Sequence, residues 1–527
     1  MAAPVKRGRK PRSGPAQSPE QWPAGPLRSG LARNAASSSN HGGHRGSTVE
    51  RDRTMLYVGT SSDQDVYLLR HLPFDDRNRF GHANWRVCKV LAHEFTPAYF
   101  TSYPNELLDA ASGIYNAERV NMVVSPYQKP LLDLYYMYVH PSLPIMDSRE
   151  RLEAAIAAGS VPASLLGAVY CSALPFWSFS PRLVGQTPFD DEWLREDVFK
   201  SVLQEAKTPS LATIQAMLLY MQLPPQHVRE PNHPGFWPLT NQLVGLAQET
   251  GLHIEPANWN ITPYEKHLRR VLWWAVYMHD KWLSHWLGRP SHIDDRQFST
   301  AQLSVDDFTF LSGSPLDASS WESTSAFVML SRLTAVLSSV LDHFYTVNRS
   351  SSVMAPEEAL FKASHCQAQL KDVLEQQGGI LLHPSRGINM IDYVFVLAYY
   401  GIAVSIQRAL FACVGGTSYY DIEREMVLFH DLFGIFEDLL RQDDLVGVWL
   451  SYCKSNIAII GSFMVTALLA STDDKVYRLR QGALEEFRRL LQRSERRFDF
   501  AALPLLRLNL LVERFSDSRA SPESSCE

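Results

Sequence analysis

Apolar residues between positions 262 and 295 recur at steps of three and four, which places them on one face of a helix. Thr262 is a candidate N-cap, Pro263 suits the first helical position, and Glu265 follows Thr262 by three residues, as in a capping box. Gly288 can take the left-handed position after the last turn, and Pro290 cannot continue a helix. These features predict one long buried helix with both ends marked. Its apolar face comprises Leu268, Val271, Leu272, Ala275, Met278, Trp282, Leu283 and Trp286.

Helical spacing also dominates the rest of the chain from Pro126 onward, and we find no alternation long enough to build a sheet. The fold class that this predicts is all-α. Two runs, 394–406 and 457–469, are apolar on all sides, which indicates central helices surrounded by others. Both are shorter than the roughly 18 residues of a membrane span, so no membrane partner is expected. Predicted helices occupy 130–139, 211–221, 239–252, 321–345, 355–376, 388–413, 418–441, 443–471 and 473–498.

Composition divides the chain into five parts. Residues 1–53 are rich in Ser, Gly, Pro and Arg, so we expect a disordered basic tail. An irregular flank is expected at 54–125, a helical domain at 126–345, and a helical region packed on it at 346–515. The polar residues 516–527 are predicted to form a second disordered tail. On the helix at 473–498, Val476, Leu479, Ala483, Phe487 and Leu490 are predicted to face inward and the arginines outward, paired with Glu485, Glu486 and Glu495.

Charge is distributed unevenly between the tail and the body. Residues 1–53 contain ten Lys or Arg and three Asp or Glu, a balance of +7, and the total of −6 leaves −13 for the remainder. The basic cluster, Lys6, Arg7, Arg9, Lys10 and Arg12, could be a solvated tail or a nuclear-import signal. It also resembles an AT-hook core interrupted by Lys10. We expect weak contacts with DNA phosphates from this cluster, and none from the acidic body.

Motifs for enzymatic chemistry are not found. There is no G-x-S-x-G elbow and no glycine-rich phosphate loop, so we expect no enzyme. His82, His93 and Glu94 might suggest a metal, but His93-Glu94 lacks the second histidine of H-E-x-x-H and Pro97 ends the helix that would carry it. The six cysteines are scattered, which predicts neither a disulfide framework nor a metal site.

The run RRVLWWAVYMHDKWLSHWLGRPSHI resembles the regulatory middle-homology domain of fungal zinc-cluster transcription factors. Lys281 stands where that family more often has an arginine. Residues 56–104 resemble the N-terminal flank of one branch, which includes co-activators of genes for secondary nitrogen sources. The signature residues are Arg269, Arg270, Trp273, Trp274, Tyr277, Asp280, Lys281, Ser284, Leu287, Gly288, Arg289 and Pro290. Burial statistics favour a core role for the tryptophans and leucines, and a helix-end role for Arg289, so the signature identifies a family and assigns no chemistry.

The resemblance implies a nuclear regulator of genes transcribed by RNA polymerase II, in control of nitrogen sources or secondary metabolites. Other transcription factors, a small-molecule inducer and a second copy of the chain are implied as partners. The family's DNA reader is a six-cysteine cluster with two zinc ions, but this sequence has no C-x₂-C step and no cysteine before Cys88. We therefore expect no zinc in this chain.

Two explanations of the missing zinc cluster remain open. One is that an N-terminal zinc cluster has been lost, either from the gene itself or because the start of the gene was predicted wrongly. In that case the basic cluster is the segment that follows the zinc module in the family. The other is that the protein works without a zinc cluster. In the second case it would be a helical co-activator or inhibitor that binds another transcription factor without contacting DNA.

Overall fold

The structure is a computed structural model that describes residues 52–82, 84–91, 97–109, 117–223, 235–313, 315–350, 354–376, 390–415, 419–442 and 445–520. The basic cluster at 6–12, His93, Glu94 and the last seven residues lie outside these ranges, so the predictions made for them stay predictions. Residues 47–527 belong to one compact unit.

Helices make up most of the described residues, which confirms the all-α prediction. Short 3₁₀ segments occur at Ser125–Tyr127 and Leu174–Phe179, and a π-helical turn at Tyr135–Val139. The α-helices are α1 (Val66–Leu69), α2 (Asn105–Leu108), α3 (Ala117–Val124), α4 (Gln128–Leu134), α5 (Arg149–Ala157), α6 (Ala163–Ala173), α7 (Asp191–Glu205), α8 (Leu211–Gln222), α9 (Phe236–Glu249), α10 (Pro263–Leu287), α11 (Val305–Ser312), α12 (Ala318–Phe344), α13 (Val347–Ser350), α14 (Pro356–Gln376), α15 (Met390–Val414), α16 (Ile422–Arg441), α17 (Ser451–Leu469), α18 (Asp474–Glu495) and α19 (Asp499–Ala520).

A small sheet occupies the flank that we expected to be irregular, so that prediction is wrong. Its strands are β1 (Arg53–Val58), β2 (Arg79–His82), β3 (Trp85–Leu91) and β4 (Ala98–Pro104). They pair antiparallel in the order β1-β4-β3-β2. The strands have only four to seven residues, and the first five residues of β4 are all buried. A short strand and a strand that is buried on both faces both lack the alternation of apolar and polar residues by which a strand is recognised in a sequence.

The sheet packs on the segment that joins α9 to α10. Phe100 of β4 contacts Trp259 edge to face, with 5.4 Å between ring centroids. The amide N–H of Asn260 donates to the carbonyl of Val90 at 2.6 Å. Gly251 has a positive φ of 73°, and a Cβ there would lie 3.0 Å from Phe100. The sheet and α9 can therefore approach this closely because position 251 is a glycine.

Three helices of the described chain, α12, α15 and α17, are long and apolar enough by length and composition to cross a membrane. The sequence analysis judged both α15 and α17 too short for a membrane span because it measured only their most apolar runs, whereas the helices have 25 and 19 residues. Between 67% and 72% of each apolar window is buried inside the protein. Helix α15 packs against α12, α14, α16 and α17, which matches the prediction of central helices.

The C-terminal helices differ from the predictions in three ways. Leu479, predicted to face inward, is half exposed, while Arg480, predicted to face outward, is buried. Arg489 does pair with Glu486, but Arg493 pairs with Glu437 of α16. Helix α19 continues to Ala520, so the tail predicted to be disordered from residue 516 is helical over its first five residues. The buried face of α18 is displaced by one residue because it must meet α16 and α17 together.

Candidate functional site

Helix α10 carries most of the signature residues, and it begins and ends where the sequence predicts. The hydroxyl of Thr262 accepts the amide N–H of Glu265 at 3.2 Å. Gly288 closes the helix with a φ of 62°. The Glu265 carboxylate pairs with Arg269 at 2.8 Å. The Thr262 half of the predicted capping box is thus present, whereas the Glu265 side chain forms an ion pair with Arg269.

The tryptophans of the signature are core residues, as predicted. Trp273 and Trp274 are buried, as are Tyr277 and Trp282. The Trp274 indole N–H donates to the carbonyl of Ala301 at 2.7 Å, and that of Trp282 to the Thr334 hydroxyl at 3.0 Å. The Trp273 indole N–H has no acceptor among the described residues, although a buried indole usually finds one.

Arg269 and Arg270 both reach polar partners, but in different directions. Arg269 donates to the carbonyl of Thr250 at 2.7 Å, and its guanidinium lies 5.7 Å from the ring centre of Phe100. It thereby joins α10 to the end of α9 and to the sheet. Arg270 forms ion pairs with Glu255 and Asp307, each at 2.5 Å. It thereby joins α10 to the preceding linker and to α11.

Asp280, fully buried near the middle of α10, organises the loop that follows the helix. Its carboxylate accepts the Ser291 hydroxyl at 2.6 Å and the His292 ring N–H at 2.8 Å. It also accepts the amide N–H groups of His292 and Ile293, at 3.1 and 3.0 Å. Burial by itself raises the pKa of Asp280, but these hydrogen bonds outweigh it and the pKa is lowered. The carboxylate is therefore charged and holds the loop against α10.

Lys281, Ser284 and Tyr277 complete this attachment. The Lys281 ammonium donates to the carbonyl of Ile293 at 2.7 Å and pairs with Asp295 at 3.0 Å. The Ser284 hydroxyl donates to the carbonyl of Arg289, and the Tyr277 hydroxyl donates to Asp295. With Asp280, these residues form what we call the loop lock, an attachment of α10 to residues 289–295.

The end of the signature lies at the protein surface. Leu287 is half-buried, whereas Gly288, Arg289 and Pro290 are exposed. The amide N–H of Arg289 donates to the carbonyl of Ser284 at 3.1 Å, and its guanidinium lies 5.7 Å from the ring centre of Trp237. Arg289 thus acts at the helix end through its backbone, and its side chain covers an aromatic ring.

A chain of polar groups crosses the core beside α10. The Thr240 hydroxyl donates to the carbonyl of Phe236, so it accepts the Nε2–H of His279 at 3.2 Å. The other ring nitrogen of His279 then accepts from the Gln222 side chain at 3.4 Å. The Gln222 carbonyl oxygen accepts the amide N–H of Ser451 at 2.9 Å. Burial lowers the pKa of His279 to about 4, so the ring is neutral and this polar chain links α9, α10, α8 and α17.

The polar chain ends at a cavity of about 510 Å³. Its walls come from the 3₁₀ segment after α6, the end of α8, Trp286 of α10, and residues 445–451 and 497–500. Apolar side chains dominate the lining, and seven of them are aromatic. Its polar members are Ser172, Gln222, Ser451, Lys454, Arg497 and Asp499. No sequence pattern indicated this cavity, because its walls lie hundreds of residues apart in the chain.

A second polar site that the sequence analysis missed joins α16 to α18. Arg480 forms a two-pronged ion pair with Glu425, at 2.9 and 2.8 Å, and both side chains are buried. Arg480 also donates to the carbonyl of Ala467, and the Tyr420 hydroxyl donates to Glu425 at 2.7 Å. No sequence pattern indicated this site, because Arg480 was predicted to face outward and Glu425 lies 55 residues away in the chain.

Groups that could hold a metal or carry out redox chemistry are not assembled in the described part of the chain. No cluster of three His, Cys, Asp or Glu side chains with metal-binding geometry occurs there. Among the described residues, Cys171, Cys366, Cys413 and Cys453 are free thiols.

Comparison with known proteins finds a family model that matches part of the chain. Residues 132–372 match the model described as the fungal specific transcription factor domain. The chain carries a fungal specific transcription factor domain. The match runs from α4 to α14, so it includes the signature and the loop lock but ends before α15. The resemblance inferred from the signature is thereby confirmed.

Curated relatives of the chain are fungal transcriptional regulators. An uncharacterized transcriptional regulatory protein of Schizosaccharomyces pombe is 28% identical over 56% of this chain and 40% of its own length. Transcriptional activator protein DAL81 of Saccharomyces cerevisiae is 22% identical over 88% of this chain and 52% of its own length. Pyrimidine pathway regulatory protein 1 of the same yeast is 32% identical over 16% of this chain and 9% of its own length. The chain thus spans about half the length of the first two relatives. No solved structure matches it.

Proposed function

We propose that the chain regulates transcription of genes read by RNA polymerase II, acting in the nucleus through its helical body. The observation that carries this proposal is the similarity to Transcriptional activator protein DAL81, which extends over 88% of the chain. That similarity covers helices beyond the family domain, so the C-terminal helices belong to the regulatory body. The same similarity supports an activator of transcription and no enzymatic role.

The resemblance of the flank and the signature supports a finer proposal. The regulated genes would serve the use of nitrogen sources or the synthesis of secondary metabolites. The body would respond to a small molecule, and it would act together with other transcription factors or with a second copy of itself.

A second candidate function is a co-activator or inhibitor that binds another transcription factor without touching DNA. The acidic balance of residues 54–527, which is −13, favours this candidate, because such a body repels the phosphate backbone. The two candidates differ in where affinity for DNA would reside.

A reporter experiment tests the proposed regulation. The full chain is fused to a bacterial DNA-binding domain whose operator lies upstream of a reporter gene in a fungal host. We expect reporter expression to change several-fold relative to the DNA-binding domain alone, and the matched fusion with Asp280→Ala to lose the effect because the loop lock is broken. An unchanged reporter, with the wild-type fusion present in the nucleus at the same level, would contradict the proposal.

A DNA titration separates the two candidates. The full chain, a version beginning at Thr54, and a version with Lys6, Arg7, Arg9, Lys10 and Arg12 changed to Gln are titrated with random and AT-rich duplexes. If all five cations engage phosphates, log affinity should fall against log salt with a slope of about −4 to −5. We expect both altered versions to lose binding. Equal binding by the truncated body would show a DNA surface outside the tail, and a strong preference for AT-rich duplex would support an AT-hook.

A further inference from the structure

The cavity lies between the family domain and the helices that follow it. Val139, Phe176 and Trp286 belong to the matched region 132–372, whereas Trp449, Lys454 and Phe498 follow it. A molecule in the cavity would therefore contact both parts of the body at once.

Seven aromatic side chains contribute to the cavity wall, among aliphatic ones. Trp449 lies against Phe500 with 4.2 Å between ring centroids, and Phe498 stacks on Phe500 at an angle of 13°. Phe176, which also lines the cavity, stacks on Tyr138. Aromatic walls of this kind suit a planar apolar body, because ring faces pack over a large area at little cost in side-chain entropy.

The charged residues of the lining are two cations and one carboxylate residue. Lys454 and Arg497 are half-buried, whereas the carboxylate residue Asp499 is exposed. Water and salt screen the exposed Asp499 more strongly than the two cations. Lys454 also lies in the first turn of α17, whose N-terminus carries a partial positive charge of its own.

We propose that this cavity binds a small, largely aromatic molecule with a single anionic group, with the anion beside Lys454 and Arg497. A volume of about 510 Å³ lies within the range of small-molecule pockets in proteins. This proposal gives a site and a ligand class to the small-molecule part of the proposed function, and binding can be measured without any transcriptional readout.

Two contacts connect the cavity to α10. Trp282 stacks on Tyr452 of α17, with 4.6 Å between ring centroids, two residues from Lys454. Gln222 lines the cavity and bonds both His279 of α10 and the first amide of α17. An occupant would therefore stabilise the attachment of α17 to the signature helix.

The test uses two fluorescent probes that differ in one group. 8-Anilinonaphthalene-1-sulfonate carries an anionic sulfonate, and N-phenyl-1-naphthylamine has the same rings without it. With the full chain, we expect one saturable site for each probe and about tenfold tighter binding of the sulfonate. Lys454→Met should weaken the sulfonate to the level of the neutral probe and leave the neutral probe unchanged. Lys200→Met, on the exposed face of α7, should change neither.

A steric variant checks the location. Val446→Trp places a large ring in the cavity and should weaken both probes at least tenfold, with circular dichroism and the thermal midpoint showing that the variant is folded. If Val446→Trp leaves both affinities unchanged, the probes bind elsewhere and the proposed site is wrong. Equal affinity for the two probes, or an effect of Lys200→Met as large as that of Lys454→Met, would overturn the anionic ligand class. These outcomes do not depend on the reporter experiment, so either proposal can fail alone.

Discussion

Asp280 in α10 and Glu205 at the end of α7 are both buried carboxylates, yet their surroundings shift their pKa values in opposite directions. Asp280 is the more deeply buried, with 0% of its surface exposed against 8% for Glu205. It accepts four hydrogen bonds and its pKa is lowered. Glu205 accepts only from the amide and hydroxyl of Ser164 among the described residues, and burial raises its pKa to about 7. The number of donors, more than the depth of burial, decides whether a buried carboxylate is charged.

Glu425 shows a third arrangement, in which the partner is a cation. Its carboxylate is paired with Arg480, 55 residues further along the chain, whereas the partners of Asp280 follow within 13 residues. One site is therefore assembled by a helix and the loop after it, and the other by the packing of distant helices. Substitutions at the three carboxylate sites should differ in size accordingly.

The largest effect is expected from Arg480→Met. This change leaves Glu425 charged and buried with only the Tyr420 hydroxyl of its described partners, which should lower the free energy of unfolding by about 4 kcal/mol. Urea titration followed by circular dichroism measures it. Arg478→Met, on the exposed face of the same helix, is the matched control and should stay near wild type. The double change Glu425→Gln with Arg480→Met should recover part of the loss, and no recovery would show that the charge is not the cause.

Asp280→Ala should have the next largest effect. It removes one acceptor from Ser291, His292 and Ile293 together, which should cost about 3 kcal/mol in the free energy of unfolding. Asp294→Ala, in the same loop but exposed, is the control. An equal, small effect of both substitutions in urea titration would mean that the loop lock contributes no stability.

Glu205 should lower the free energy of unfolding as pH rises, whereas a paired carboxylate raises it. Its folded pKa of about 7 lies above the usual 4.5, so its contribution is fully present below pH 4.5 and is lost as pH rises through 7. The loss should total roughly 3 to 4 kcal/mol, since the folded pKa is about 2.5 above its usual value and one pKa unit corresponds to about 1.4 kcal/mol. Glu205→Gln should remove this dependence. A constant difference in unfolding free energy between variant and wild type from pH 4.5 to 8 would rule out the raised pKa.

The sequence predicted those features of the fold that depend on residues close together in the chain, and it missed those that depend on distant residues. The caps of α10 and its buried tryptophans follow from spacing within one helix, and Thr262 and Gly288 act as expected. The sheet was missed because β4 is buried over five consecutive residues and shows no alternation. Arg480 was misplaced because a helix between two neighbours buries a wider face than one apolar stripe predicts.

The candidate site was predictable only in part. The signature residues were identified by resemblance, but nothing in their order shows that Asp280 and Lys281 bond the following loop. The cavity could not be predicted, because Phe176, Trp286 and Trp449 meet only in the folded chain. The basic cluster lies outside the described residues, and its contact with DNA stays a prediction.

Hydrogen exchange at residues 289–295 tests the central claim most directly, namely that the signature serves to lock this loop onto α10. The amides of His292 and Ile293 donate to Asp280, so a peptide covering them should be protected in the wild-type protein despite its position in a loop. In Asp280→Ala, this peptide should lose its protection while peptides from α15 and α17 keep theirs. Exchange at the rate of an unfolded chain in the wild type, or unchanged protection in the variant, would contradict the account.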